Sequence, residues 1–430
     1  MINFLPRRKF TRFVRHQIAG IKDGGKSVIW GKAKKGLLWG GGAITGVIFL
    51  PFVLIIWALR SIVFIRFGYF LAHRIGHFAF DVDYYLSGRE CSKREKNWNT
   101  IDLFFLAGAP CNSFLVDLVK RELRVSPLVR IPYFSHKLMP WKSGNLVLPA
   151  WKINGSRDHM GYLANTGPHL SLSDSEDRAG VEFLGRFNWK PGEPIVCLIV
   201  RDSAYLNTIQ SGKDWNYHSY RDTQIANYHS AALALAKNGY WVFRMGKAVE
   251  REFGVTHSRI VDYANSAWRS DFLDVWLMSH CEFCISTSTG FDSVAAVFRK
   301  PLALVNFMPL AEFQTWSSCV LAPSHLIWKK SNRKLTCREH LVHCYMRTEQ
   351  YEAAGIEVQE LSPQEINYVV EEVESRITGS WVDTVEAMEK QSRFWDIYKA
   401  NQGWTPKKAF FHSEARISTR FLDNHPNFLD

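Results

Sequence analysis

The run Ser286-Thr287-Ser288-Thr289-Gly290 sets four hydroxyls and a glycine between an apolar stretch, Glu282-Phe283-Cys284-Ile285, and a segment, 291–299, whose apolar residues recur at helical spacing. At a strand-to-helix junction such a loop offers unpaired N–H groups, side-chain donors and the positive end of a helix dipole. That combination suits a phosphate or diphosphate. Plain N-capping by Ser288 or Thr289, with Asp292 closing a capping box, would use the same residues. Two basic groups stand at comparable points. Arg201-Asp202 follows the apolar run 195–200, and Arg244-Met245-Gly246-Lys247 ends the run that begins at Tyr240. In an open parallel sheet, ligands bind beyond the carboxyl ends of the strands. Arg201, Arg244 and Lys247, with Thr287, Ser288, Thr289, Gly290 and Asp292, therefore make a candidate diphosphate site. His77 follows a glycine in Arg74-Ile75-Gly76-His77. Its ordinary pKa, near 6.5, suits a general base acting on a hydroxyl, although a histidine paired only with backbone fits the same position.

The elements that would position these groups alternate along the chain. A strand is expected over 61–68, then a glycine turn and a helix ending near Leu86, the usual opening of a Rossmann-like domain. A strand over 101–107, a helix over 111–124 and a helix over 173–187 follow, with 125–170 left unassigned and a linker at 189–194. The second half reads as strands over 195–200, 240–244, 259–263, 282–285 and 302–307. Its helices run over 222–238, from the Ser270 cap, and after the hydroxyl loop. This alternation predicts α/β architecture, with parallel sheets covered on both faces. Ser362-Pro363-Gln364-Glu365 marks a capping box with proline at the first helical position, and a further helix runs to about Ala400.

Charge is uneven over the 430 residues, whose formal net is +12. Residues 1–36 hold ten lysines and arginines against one aspartate, so +9 sits in this tail and only +3 on the remainder. A nucleic-acid groove in the body is not expected. Residues 37–59 carry no charge and are long enough to cross a bilayer, with Gly40-Gly41-Gly42 and Pro51 also suiting a kinked or re-entrant hairpin. A membrane-associating segment is expected there, with the catalytic part facing the cytosol. The alternative is a single crossing that leaves the catalytic part outside or lumenal. The sequon Asn154-Gly155-Ser156 does not decide between them.

Three further constellations invite metal or redox chemistry. Asp81-Val82-Asp83 spells Asp-x-Asp but reads as incidental. Cys281 and Cys284 would point to opposite faces of a strand, against chelation or a disulfide. Cys337, His340, His343 and Cys344 read as a half-buried helix face. No metal and no cofactor is expected. The eight scattered cysteines suit reduced, buried thiols.

Three spaced runs carry a resemblance: Arg66-Phe67-Gly68 with Arg74 to Ala79, Val200 to Leu206, and Arg269 to Asp274 continuing through Ser286 to Asp292. They resemble a family of bacterial glycosyltransferases associated with surface-polysaccharide synthesis, over most of residues 60–350. The resemblance implies a GT-B-like architecture of two Rossmann-like domains, preceded here by the tail (1–36) and the membrane-associating segment (37–59). It implies an N-terminal acceptor domain (60–188) and a C-terminal donor domain (195–350), with helices and a tail over 361–430. A nucleotide-sugar donor would then be the substrate held by the cationic rim. A glycan or lipid-linked acceptor would lie on the side of Arg66, Arg74 and Gly76. A pyruvyl-type transferase on the same fold, and a non-catalytic glycan- or nucleotide-binding membrane protein, remain alternatives.

Overall fold

The computed structural model describes residues 48–93, 99–139, 144–204, 216–401 and 408–430. The basic tail and residues 37–47 of the expected membrane segment lie outside them. The remainder of that segment forms a helix, Leu50–Ala58, with Pro51 in its first turn and a 3-10 turn, Leu59–Ser61, after it. It buries Val53 and Ile56 and exposes Phe52, Leu54 and Ile55. Among the described residues, no helix is long and apolar enough to cross a membrane.

The chain divides into two compact units. The first holds residues up to Tyr69, Trp98–Phe105 and Arg124–Val147; the second holds the rest. The strands of the first sheet are β1 (Phe64–Leu71), β2 (Thr100–Ala107), β3 (Arg124–Val125) and β4 (Leu146–Val147), in the order β3-β2-β1-β4. β1 pairs with β4, and β2 with β3, in parallel. β1 begins three residues later than expected because the 3-10 turn occupies 59–61. The unassigned 125–170 stretch supplies β3, β4 and the helix Arg130–Leu138.

In the second unit a seven-stranded sheet is parallel throughout. Its strands are β5 (Ile195–Ile199), β6 (Trp241–Met245), β7 (Ile260–Val261), β8 (Phe283–Ser286), β9 (Leu302–Phe307) and β10 (Cys319–Pro323). A separate antiparallel sheet of β11 (His325–Trp328), β12 (Arg333–Lys334) and β13 (Ile356–Gln359) follows, and β14 (Ala415–Ile417) returns to the large sheet. The large sheet runs β14-β10-β9-β8-β5-β6-β7. Taken from β7, this is the doubly wound order 3-2-1-4-5-6 with one added strand, and the order reverses between β5 and β8. β5, β8 and β9 are buried along their whole length, as a sheet covered on both faces requires.

Several expected bounds shift for identifiable reasons. The helix expected over 222–238 is α-helical only over His229–Lys237. The Thr223 N–H is drawn instead to the Arg201 carbonyl at 3.1 Å, and 3-10 turns fill 216–221 and 225–228. The strand expected over 259–263 shortens to Ile260–Val261, because a 3-10 turn begins at Tyr263. The Ser270 and Ser362 caps form as expected, with a full capping box at Ser362, and Ser173 adds a capping box at the start of the helix expected over 173–187.

The long helix Ile75–Lys93 belongs to the second unit and packs on the short helix Asp292–Val297. Arg299 clamps it. This residue stands at φ +61 and donates to the buried Asp83 carboxylate at 2.7 Å. It also donates to the carbonyls of Leu163 (2.9 Å) and Gly167 (2.8 Å). A charge-assisted fork from Arg299 thus ties the long helix and residues 163–167 to the end of the short helix.

Candidate functional site

The hydroxyl loop lies where the strand order reverses. β8 pairs directly with β5, with Ser286 opposite Ile199, so the loop after β8 and Arg201 after β5 share one crevice. The Thr287 hydroxyl accepts from the Arg201 N–H at 2.9 Å, tying the two strand ends together. Ser288 adopts φ +61, a strained conformation for a side-chain-bearing residue. Its carbonyl and its hydroxyl both accept from the Arg221 guanidinium. The alternative capping box does not form: the helix cap is Phe291, without a side-chain cap bond. Thr289 Oγ1 accepts from the Phe291 N–H at 3.3 Å, while Asp292 is buried and accepts from the Ser286 hydroxyl at 2.9 Å. Burial pushes the Asp292 carboxyl up to about 6, against these hydrogen bonds.

Among the described residues, Arg201 and Arg221 bring guanidinium groups to this crevice. Arg201 donates to Asp222 at 3.2 Å. Its own pKa is lowered by burial first and by the neighbouring Arg221 charge second. The Arg221 Nε is buried with no hydrogen-bond partner among the described residues. The two half-buried guanidinium groups act on Asp222 and, from Arg221, on the buried Asp292, and the unpartnered Nε leaves a cationic donor that an anion would satisfy. Arg221 was not anticipated, although Arg221-Asp222 repeats the dipeptide Arg201-Asp202 and offered a signal.

Arg244 and Lys247 stand elsewhere than the rim positions expected of them. Arg244 lies within β6 and is 1% exposed. It donates to Asp262 at 3.1 Å and lies 3.9 Å from Asp202. Those carboxylates receive backbone donors in turn, from Phe253 and Glu250. Lys247 donates to the Cys111 carbonyl at 2.6 Å and lies 3.6 Å from Asp271, bridging a loop and the first residue of the helix Asp271–His280. In the first unit, Arg66 makes a two-pronged bond to Asp102, at 2.6 and 2.8 Å, across β1 and β2. Arg74, at the start of the long helix, is exposed.

Gly76 and Gly290 bring His77 to the hydroxyl loop. A β-carbon on Gly76 would stand 2.8 Å from both the Cα and the carbonyl oxygen of Gly290. His77 is the next residue on the long helix. Its Nδ1 lies 2.7 Å from Ser156 Oγ, and Ser156 donates to Asp81 Oδ1, also at 2.7 Å. A hydroxyl has one proton. With that proton on the Asp81 carboxylate, the imidazole must donate through Nδ1–H, which leaves the Nε2 lone pair available. Nε2 has no hydrogen-bond partner among the described residues. Burial, then the charges of Arg74 and His73, lower the His77 pKa to about 4, so the ring is neutral at physiological pH. Burial raises Asp81 to about 6, against the bonds from Ser156 and the Trp151 N–H. Ser156 itself sits at φ +58, after Gly155 at +69. The relay was missed because Asn154-Gly155-Ser156 reads as a sequon, although a Gly-Ser pair is also a turn signal.

Asp81 and Asp83 do not converge. Asp81 faces Ser156, and Asp83 faces Arg299 and His169. Cys281 caps a helix while Cys284 lies in β8, and both are buried free thiols. Cys337 and His340 are buried on the short helix Cys337–Val342.

No family model matches the chain, and no curated protein does. Among solved structures it is similar to a glycosyl transferase family 9 protein from Veillonella parvula. The identity is 10%, over 60% of this chain and 85% of that one, with a TM-score of 0.38. It is similar to the E. coli ADP-heptose LPS heptosyltransferase II, at 12% identity over 55% and 83%, with a TM-score of 0.31. It is also similar to TibC, an iron-containing dodecameric glycosyltransferase of enterotoxigenic E. coli, at 14% identity over 74% and 80%, with a TM-score of 0.37.

Proposed function

We propose that this protein transfers a sugar from a nucleotide-sugar donor to a glycan or lipid-linked acceptor in surface-polysaccharide synthesis. One juxtaposition carries the proposal. The Gly76–Gly290 contact sets a neutral, relay-anchored histidine beside a loop served by two arginines at the switch point of a doubly wound sheet. Sugar transfer needs both halves of that arrangement. A leaving diphosphate develops charge, which Arg201, Arg221 and the loop N–H groups would stabilise. The acceptor hydroxyl must lose a proton, which His77 Nε2 would take while Ser156 and Asp81 support the imidazolium.

Arg244 has a different part in this scheme. It holds Asp202 and Asp262, and so shapes the loop after β5 from beneath. Membrane contact would come through the segment whose described end exposes Phe52, Leu54 and Ile55, with the catalytic unit facing the cytosolic pool of nucleotide sugars.

A thermal-shift and calorimetric screen against UDP-, ADP-, GDP- and CMP-sugars tests the donor half. One of these should raise the melting temperature and bind with a Kd that worsens in Arg221→Ala. Failure of all four to stabilise the protein would remove the donor assignment.

A further inference from the structure

The side chains of His325, Glu365 and His425 converge in the second unit. Each offers one ligand atom, and the three atoms lie within 4.8 Å of one another. They come from three elements: β11, the first turn of the helix Pro363–Ile377, and the residue that ends the helix Thr419–Asn424. His325 Nε2 and His425 Nε2 both approach the same oxygen, Glu365 Oε1, at 2.8 Å. The other oxygen, Oε2, is occupied by the Ser362 N–H and hydroxyl of the capping box, which fixes the carboxylate in orientation.

The hydrogen-bond accounting at His325 does not close. Its Nε2 faces the Glu365 oxygen, which only accepts, and the Lys334 ammonium at 3.3 Å, which only donates. One ring nitrogen can serve one of them. If it carries the proton, the ammonium meets an N–H. If it carries the lone pair, that pair meets the carboxylate lone pairs at 2.8 Å. A divalent cation removes the conflict, because two imidazole lone pairs and a carboxylate oxygen are the donors it takes. Ligand bonds of about 2.0–2.1 Å put tetrahedral ligand atoms roughly 3.3 Å apart. The observed spread, from 2.8 to 4.8 Å, brackets that separation. The site also has an approach path. His325, Lys334 and Glu365 line a groove of about 480 Å³. Lys334 lies on the exposed two-residue strand β12, from which its ammonium can swing into the groove.

We infer that His325, Glu365 and His425 form a binding site for a divalent transition metal of the zinc class, a clasp that joins β11 to the two C-terminal helices. Two imidazoles and one carboxylate select such an ion over magnesium, which takes oxygen ligands. The Lys334 ammonium would be the cation that the metal displaces.

The full-length protein, stripped with chelator, is titrated with ZnCl2 by calorimetry, with MgCl2 as control, and with Co2+ followed by absorbance. The expected result is one zinc per chain, no magnesium uptake, and a Co2+ spectrum without thiolate charge transfer. His425→Ala should weaken zinc binding by more than about 100-fold, since even outer-shell changes cost 10–100-fold. Lys334→Met, which removes the competing charge and no ligand, should tighten it. Absence of stoichiometric zinc in both the wild type and Lys334→Met would overturn the inference, as would unchanged affinity in a folded His425→Ala. A thiolate band with Co2+ would assign the ion to cysteines and overturn it equally.

Discussion

The backbones of Gly76 and Gly290 approach so closely that a side chain on Gly76 would collide with Gly290, while one on Gly290 would only crowd Gly76, the residue before His77. The two are not equivalent. A methyl on Gly76 would meet Gly290 backbone at 2.8 Å, whereas one on Gly290 would lie 3.3 Å from the Gly76 nitrogen. Backbone cannot rotate aside as a side chain can. Gly76→Ala is therefore expected to cost about 1–3 kcal/mol, the usual scale of overpacking, and to weaken turnover more than donor binding. Gly290→Ala should be milder on both counts. Urea denaturation of the two variants checks the order, and equal stability would mean that the helix and loop are free to separate.

Arg221 and Arg244 are expected to fail in different ways. Arg221→Ala should fold normally but bind the nucleotide-sugar about 10- to 100-fold more weakly, the scale of one lost charge-assisted hydrogen bond. Arg221→Lys should recover part of the loss, since it keeps the charge without the fork. Arg244→Ala leaves Asp262 and Asp202 without their buried cation. Removing one member of a buried pair costs roughly 3–5 kcal/mol, and the partial exposure of both carboxylates puts this case at the lower end. Calorimetry on one variant and denaturation on the other separate the two roles.

The relay makes a pH prediction. Transfer needs His77 neutral and Asp81 ionised, and their values lie at about 4 and about 6. kcat/KM should therefore rise with pH and level off above about 6, with Asp81 setting the limb. Asp81→Asn should abolish that limb, leaving the fall near pH 4, and lower the plateau by roughly 10-fold or more. Ser156→Ala should lower the plateau similarly, while Ser156→Thr restores part of it. A wild-type limb that is unmoved in Asp81→Asn would disconnect the aspartate from the base.

The same two groups act oppositely on stability. The His77 value is depressed from 6.5, so its contribution is present above pH 6.5 and lost as pH falls through about 4. The Asp81 value is raised from 3.8, so its contribution is present below pH 3.8 and lost as pH rises through about 6. Between pH 4 and 6 the two largely cancel. His77→Ala alone should therefore make the protein lose stability as pH rises across that window, measurable as melting temperature against pH.

Removing residues 1–59 tests the membrane proposal. The truncated protein should leave the membrane fraction. In the full chain, attachment to anionic vesicles should weaken with salt, because the tail carries +9. Continued sedimentation of the truncated chain with membranes would shift the contact to another surface.

Features with local causes are legible in the amino-acid sequence. Apolar runs and hydroxyl caps marked β9 at its observed bounds, the caps at Ser270 and Ser362, and the alternation that requires a parallel sheet. Hydrophobic periodicity and capping act over a few residues, so they are legible in a few residues. Which charges face the crevice depends on long-range packing. A strand buried on both faces has no polar side, so nothing in the run before Met245 told that Arg244 is enclosed and not displayed. Arg221 reaches Ser288 from 67 residues away, and Ser156 joins His77 to Asp81 across a separation of 79 and 75. Such meetings follow from the pairing of β5 with β8 and from two glycines that let a helix approach a loop. Both are non-local packing outcomes, set by the whole chain burying its apolar surface at once.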